Sequence, residues 1–213
     1  MRRLKNLTDF SICFFCTLWS YLYSYAFSRK IKIVQNKLYS IWISKEFKFF
    51  GKNSVIQRQI SLVGGSYISI GNKTSIGTRA VITAWDKHGL DTFMPEIIIG
   101  SNVSIGDDCH ITAINKIEIG NNVLTGKKIT ISDNSHGESE FKLLSISPAN
   151  RPLYSAGPIY IEDGVWIGDK VTILSNVRIG KNSIIGANAV VTKDIPANSV
   201  AAGIPAKIIK VIE

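Results

Sequence analysis

An aliphatic residue returns at every sixth position from Ile161 onward: Ile161, Ile167, Ile173, Ile179, Ile185 and Val191. Glycine directly follows three of them, at Gly168, Gly180 and Gly186. A smaller side chain stands four positions after most of them, at Val165, Val171, Val177, Ser183 and Ala189. A helix repeats its apolar face about every 3.6 residues and a strand every two. Neither period holds this pattern. A β-solenoid does: each hexad makes one flat face, three hexads make one triangular coil, and the recurring aliphatic points to the axis. Glycine is expected at the corners, where it relieves a tight backbone. Coils bond to neighbouring coils, so stability comes from stacking and not from any single hexad.

The same pattern runs through the middle of the chain in broken form. It is visible at Ile68, Ile70-Gly71, Ile76-Gly77 and Ile82, stops over 84–96, and resumes at Ile99-Gly100, Ile105-Gly106 and Ile111. It then slips by two residues and restarts at Ile119-Gly120, Thr125-Gly126 and Ile131. A long break covers 133–158 before the regular run begins. Residues 84–96 read as a loop or short hairpin. Insertions into a solenoid gather on one face, and that face commonly carries function. Beyond Val191 the tail 196–213 contains Pro196 and Pro205, which end the coils, and then a short element that packs back.

The sequence assigns residues 1–52 to an N-terminal helical segment and 53–213 to the all-β solenoid. The net charge of +9 is concentrated in the first part, which holds ten basic and two acidic residues. Basic clusters flank 10–28, an uncharged stretch rich in aromatics. Such a stretch lies on a membrane surface with its rings at headgroup depth, spans the membrane, or caps the open end of the solenoid; the surface reading fits best. A cleaved signal peptide fits poorly, because no small-x-small site follows. Residues 29–52 read as a connection into the first coil. The basic character belongs to this segment, so no nucleic-acid partner is expected. Three cysteines make no disulfide framework, and Cys13 and Cys16 are expected to be buried or membrane-facing thiols. A reducing compartment is the default.

Of the three histidines, His88, His110 and His136, no two lie within twenty residues of each other. None has metal-ligand spacing, so no zinc site is expected. His136 stands where the solenoid breaks, shortly after Asp133, and an imidazole there suits proton transfer from a hydroxyl.

The stretch GPIYIEDGVWIGDKVTILSNVRIGKNSIIGANAVVTKDIPANSVAAGIPAKIIK resembles the C-terminal half of the hexapeptide-repeat acyltransferases. ITISDNSHG with RPLYSAGPIYI resembles the branch that O-acetylates bacterial surface polysaccharides of the lipopolysaccharide or O-antigen type. The resemblance covers about residues 60–210. It implies a left-handed parallel β-helix, a homotrimer with active sites between subunits, and acetyl-CoA as donor without a metal. His136 would be the general base, and a backbone N–H, not identifiable from sequence, would receive the oxyanion. Trp166 would line the groove near the reacting end. Gly168, Asp169 and Ala187 would follow the pantetheine arm by backbone contact, and Thr192, Lys193 and Lys210 would meet the nucleotide and its phosphates.

Five further positions are candidates. Asp133 orients His136 or caps a turn. Asn115, at the register slip, faces the groove. Arg151 binds a phosphate or sugar, or anchors its loop by a salt bridge. Trp85, with Asp86, is an acceptor contact. The resemblance places the enzyme in the cytoplasm, at the inner face of the membrane, where glycans grow on lipid carriers. The competing readings are N-acetylation of a nucleotide-linked amino sugar and a non-catalytic trimeric scaffold.

Overall fold

The computed structural model describes residues 2–138 and 141–212. The chain separates into two units, residues 1–38 and 39–213. In the first, helix α1 (Arg2–Leu22) is followed by helix α2 (Tyr25–Ile43), whose last turn enters the second unit. The two axes bend by 58° at the break, and among the described residues no single helix is long and apolar enough to cross a membrane. No Gly or Pro interrupts 25–43. The stretch expected as a connection is therefore largely helical, and the first strand starts at Phe49, ahead of the boundary expected at residue 53. Cys13 and Cys16 are exposed on α1, not buried. The capping role falls to residues 39–47. Ile43 and Phe47 are buried in the solenoid core, and the Ser40 hydroxyl accepts the Ile56 N–H at 2.8 Å.

In the second unit, short strands visit three sheets in rotation. Face A holds Phe49–Phe50, Ile68–Ile70, Glu96–Ile99, Lys116–Ile119, Ile159–Ile161 and Val177–Ile179. Face B holds Val55–Ile56, Ser75–Ile76, Ser104–Ile105, Leu124–Thr125, Trp166–Ile167, Ile184–Ile185 and Ser199–Ala202. Face C holds Ser61–Val63, Val81–Ala84, His110–Ala113, Thr130–Ser132, Thr172–Ile173 and Val190–Val191. Each strand pairs in parallel with its equivalent one coil away. This is a three-sided parallel solenoid of six coils, with the chain closing over its last edge. There Lys207–Val211 pairs antiparallel with Ser199–Ala202 and covers one edge of face B, which blunts an otherwise open template for association.

The aliphatic columns form the core. Ile70, Ile99, Ile119, Ile161 and Ile179 stack on face A; Ile82, Ile111, Ile131, Ile173 and Val191 stack on face C; all are buried. Full burial of one such side chain stabilises by about 1.5–3 kcal/mol, and it exists only where the coils on either side supply the contact. On face B the column is interrupted by Thr125, whose hydroxyl accepts the Gly106 N–H at 3.2 Å.

At most corners glycine and the turn have separate positions; at Gly164, φ +70°, they coincide. The left-handed residue of most corners lies three positions after the core aliphatic: Lys73, Asn102, Asp108, Asn122, Lys170, Asn176, Asn182 and Asn188 all have φ of 55–57° or slightly more, up to 60°. Asn and Asp tolerate this region better than most residues. The glycine directly after the aliphatic serves close approach instead: a Cβ on Gly168 would lie 2.6 Å from the Ala187 nitrogen of the next coil, and one on Gly100 would lie 2.5 Å from the Gly120 carbonyl oxygen.

Every departure from the hexad falls at the same corner, between faces C and A. The added residues lie between Leu62 and Ile70, Ile82 and Ile99, Ile111 and Ile119, and Ile131 and Ile161. Two of these additions are long, and both leave the coils of that corner as antiparallel hairpins. One pairs Lys87–His88 with Asp91–Thr92; the other pairs Ser135–His136 with Leu153–Tyr154.

Candidate functional site

The two hairpins meet. The His88 ring stands edge-on to the His136 ring, with centroids 5.7 Å apart and planes at 70°. His136 is exposed, at the base of the long loop, where Gly137 turns the chain at φ +82°. His88 is half-buried at the mouth of its hairpin. Sequence separation concealed this pairing, because each ring sits on an insertion that no local period describes. His110 is elsewhere, exposed on face C between Val81 and Thr130. Among the described residues, no group of three or more His, Cys, Asp or Glu is placed to hold a metal ion.

Asp133, expected to orient His136 or to cap a turn, bonds the backbone of a corner. It is fully buried. Its Oδ1 accepts the Ile114 N–H at 2.9 Å and the Asn134 side-chain amide at 3.1 Å, and its Oδ2 accepts the Asn115 N–H at 2.9 Å. Burial raises its pKa, and these bonds oppose the rise. The carboxylate clamps the corner one coil below and does not reach for the imidazole. The two extra residues at that corner leave backbone donors without a coil-to-coil acceptor, and Asp133 supplies one.

Cavities flank the His136 hairpin. One of about 340 Å³ is lined by Phe93, Met94, Ile114, Asn115, Leu153, Tyr154 and Ser155. Asn115 is exposed there with its backbone bound on both sides, its N–H to Asp133 and its carbonyl to the Glu96 N–H. The second, of about 510 Å³, lies between the short hairpin and the returning arm of the long loop; His88, Asp91, Asn150 and Arg151 are its polar lining. The Arg151 Nε donates to the Ile146 carbonyl at 3.0 Å. A loop anchor is therefore present, and among the described residues it is a hydrogen bond. Trp85 is 39% exposed at the start of the short loop, and Asp86 beside it accepts the Tyr67 hydroxyl at 3.1 Å.

The remaining candidates divide between two corners and one face. Trp166 is half-exposed on face B, in an outward row with Leu124, Ile184, Val200 and Lys210. Three strand spacings separate Trp166 from Lys210, roughly 14 Å. Gly168 and Asp169 lie at the corner between faces B and C, with Ala187 one coil above. The Gly168 N–H is bonded to Ile185 and the Asp169 carbonyl to the Asn188 N–H. The Asp169 side chain accepts the Lys127 N–H at 2.7 Å, which ties successive coils. Thr192 and Lys193 are exposed across face C, at the loop-bearing corner. One protomer therefore does not gather the whole set into one groove.

Cys109 is excluded as a nucleophile. It is buried in the core, and burial pushes its thiol up to about 12.

With this geometry in place, comparison with known proteins places the repeat. Residues 158–193 match the family model "Bacterial transferase hexapeptide (six repeats)". The chain is 40% identical over 126 residues to WbbJ of Escherichia coli (strain K12), a lipopolysaccharide biosynthesis O-acetyl transferase by provisional assignment. The match covers 57% of this chain and 64% of that protein, so the chain spans somewhat less than two thirds of its relative's length. Among solved structures, AntD, an N-acyltransferase from Bacillus cereus bound to a dTDP-amino sugar and coenzyme A, superposes with a TM-score of 0.67 at 22% identity, over 84% of this chain and 89% of that one. The hexapeptide-repeat acetyltransferase VCA0836 of Vibrio cholerae, complexed with acetyl coenzyme A, superposes at 0.51 with 24% identity, over 89% and 91%. At these identities both share the fold.

Proposed function

We propose that the protein transfers an acetyl group from acetyl-CoA to a sugar hydroxyl of a bacterial surface polysaccharide or its lipid-linked precursor. The observation that carries this reading is the exposed His136 imidazole at the base of the long loop, on a hairpin whose returning strand and arm line two cavities, in a chain 40% identical to WbbJ. His136 takes the proton of the acceptor hydroxyl as that oxygen attacks the thioester carbonyl, and returns it to the departing CoA sulfur as the C–S bond breaks. Acetyl transfer is then balanced with no change in protein charge. Trp166 lines the donor groove, with the backbone of Gly168, Asp169 and Ala187 along the pantetheine arm, and Thr192, Lys193 and Lys210 on the nucleotide. Asn115, Arg151 and Trp85 hold the acceptor.

The division of the donor residues between two corners supports a homotrimer in which each groove is shared by two copies. The coil is left-handed in this reading, as in the acyltransferases it resembles.

The test is thiol release from acetyl-CoA, with a glycan extract of the source cell as acceptor and wild type compared with His136→Ala. Release should require the extract and fall at least a hundredfold in the variant, and the active species should scatter light with three times the protomer mass. Equal release by both proteins would remove His136 from the mechanism. Amine acceptors in the same assay address the activity named for AntD: preference for an amine over a hydroxyl would replace O-transfer with N-transfer.

A further inference from the structure

We infer that His88 is a positioning residue for the reaction, holding the ring of His136 in its working orientation; this rests on His136 being the base. The short hairpin is built to present one side chain. Lys87–His88 pairs with Asp91–Thr92 across a two-residue turn of Gly89 and Leu90, and Gly89 takes the left-handed φ of +60° that such a turn requires. Leu90 at the tip is 99% exposed, so the turn is not held by packing of its apex. What the hairpin delivers is the His88 ring, half-buried and edge-on to His136.

His136 needs such a neighbour. Asp133, the nearby carboxylate that would ordinarily orient a catalytic imidazole, is spent on the backbone of Ile114 and Asn115. The His136 backbone is fixed by pairing with Leu153, but a histidine ring still turns about two side-chain bonds. An aromatic edge against one face limits that rotation, since edge-to-face pairs have a preferred geometry. The two hairpins leave the same corner two coils apart, so the solenoid sets the distance between them. His88 also lines the 510 Å³ cavity with Asp91, Asn150 and Arg151, so the ring that meets His136 is itself a wall of that cavity.

The test compares His88→Ala and His88→Phe with wild type in the thiol-release assay, with the glycan extract as acceptor. If His88 positions His136, the alanine variant loses kcat roughly tenfold or more while KM for acetyl-CoA is unchanged. The phenylalanine variant, which restores an aromatic edge, returns to within about twofold of wild type. Wild-type kcat in both variants overturns the proposal. So does equal loss in both, which would mean that the imidazole itself takes part in the chemistry. Full activity of His136→Ala would instead remove the base assignment on which the proposal stands. A second readout does not depend on turnover: the His136 ring proton resonance should broaden or shift in His88→Ala and recover in His88→Phe. No change in that resonance on removing the His88 ring also overturns the proposal.

Discussion

A buried carboxylate is costly unless its oxygens are bonded, and Asp133 shows how a chain resolves that cost with backbone donors and one side-chain amide and, among the described residues, without a cation. Asp133→Ala should leave the Ile114 and Asn115 N–H groups without acceptors, at about 1–3 kcal/mol for each buried donor. We expect a clear drop in the denaturant midpoint, with kcat retained at temperatures where the variant is folded. Loss of kcat at full stability would restore Asp133 to the chemistry. Its sequence position, three residues before His136, suggested an orienting partner, but proximity along the chain does not say which way a side chain turns at a corner. His88 illustrates the converse. Nothing near it in sequence marks it, because its partner stands on another insertion. The buried Cys109 is a third case: between Ala80 and Ile129 in the stacked core it behaves as a small apolar side chain, and its thiol chemistry is suppressed.

The coil is the element that decides what a glycine means here. Ile167, Gly168 and Lys170 divide the labour of one corner, the first filling the axis, the second admitting the next coil and the third taking the left-handed turn. Gly168→Ala should force the coils apart at the Ala187 contact and cost about 1–3 kcal/mol, as overpacking does, visible as a lower thermal midpoint with or without acetyl-CoA. A variant of unchanged midpoint that binds acetyl-CoA weakly would show that the glycine serves the ligand and not the stack. The regular hexads after Ile161 were readable in advance because five equal steps of six residues leave few alternatives. The three faces, the break at 84–96 and the tail that folds back were readable for the same reason. The role of the glycines was not, since six-residue spacing reports that a corner exists and is silent on which of its residues bends. Within the helical segment expected over 1–52, the stretch 29–52 expected as a connection was the part misjudged: Phe27, Ile31, Val34, Leu38 and Ile41 recur there at helical spacing, and nothing breaks a helix over Tyr25–Ile43.

At the scale of the whole molecule, the two units differ in kind. The solenoid stacks its recurring core aliphatics inside, whereas α1 carries Phe10, Phe14, Phe15, Trp19 and Tyr21 exposed. Such a surface, with Arg29, Lys30 and Lys32 just beyond it, suits an interface rich in anionic lipid. The full chain should float with phosphatidylglycerol vesicles, and high salt should weaken that binding; flotation equal to that of a chain lacking residues 1–38 would place the attachment elsewhere or nowhere. The solenoid itself has a broader consequence. Because each long addition leaves and returns at one corner, with the coils on either side still in register, the scaffold and the chemistry are nearly separate inheritances. The part of the long addition beyond the pairing of Ser135–His136 with Leu153–Tyr154 amounts to an exchangeable cassette: it can be rewritten without removing Asp133, whose carboxylate holds the coil beneath, so the prism goes on stacking as before.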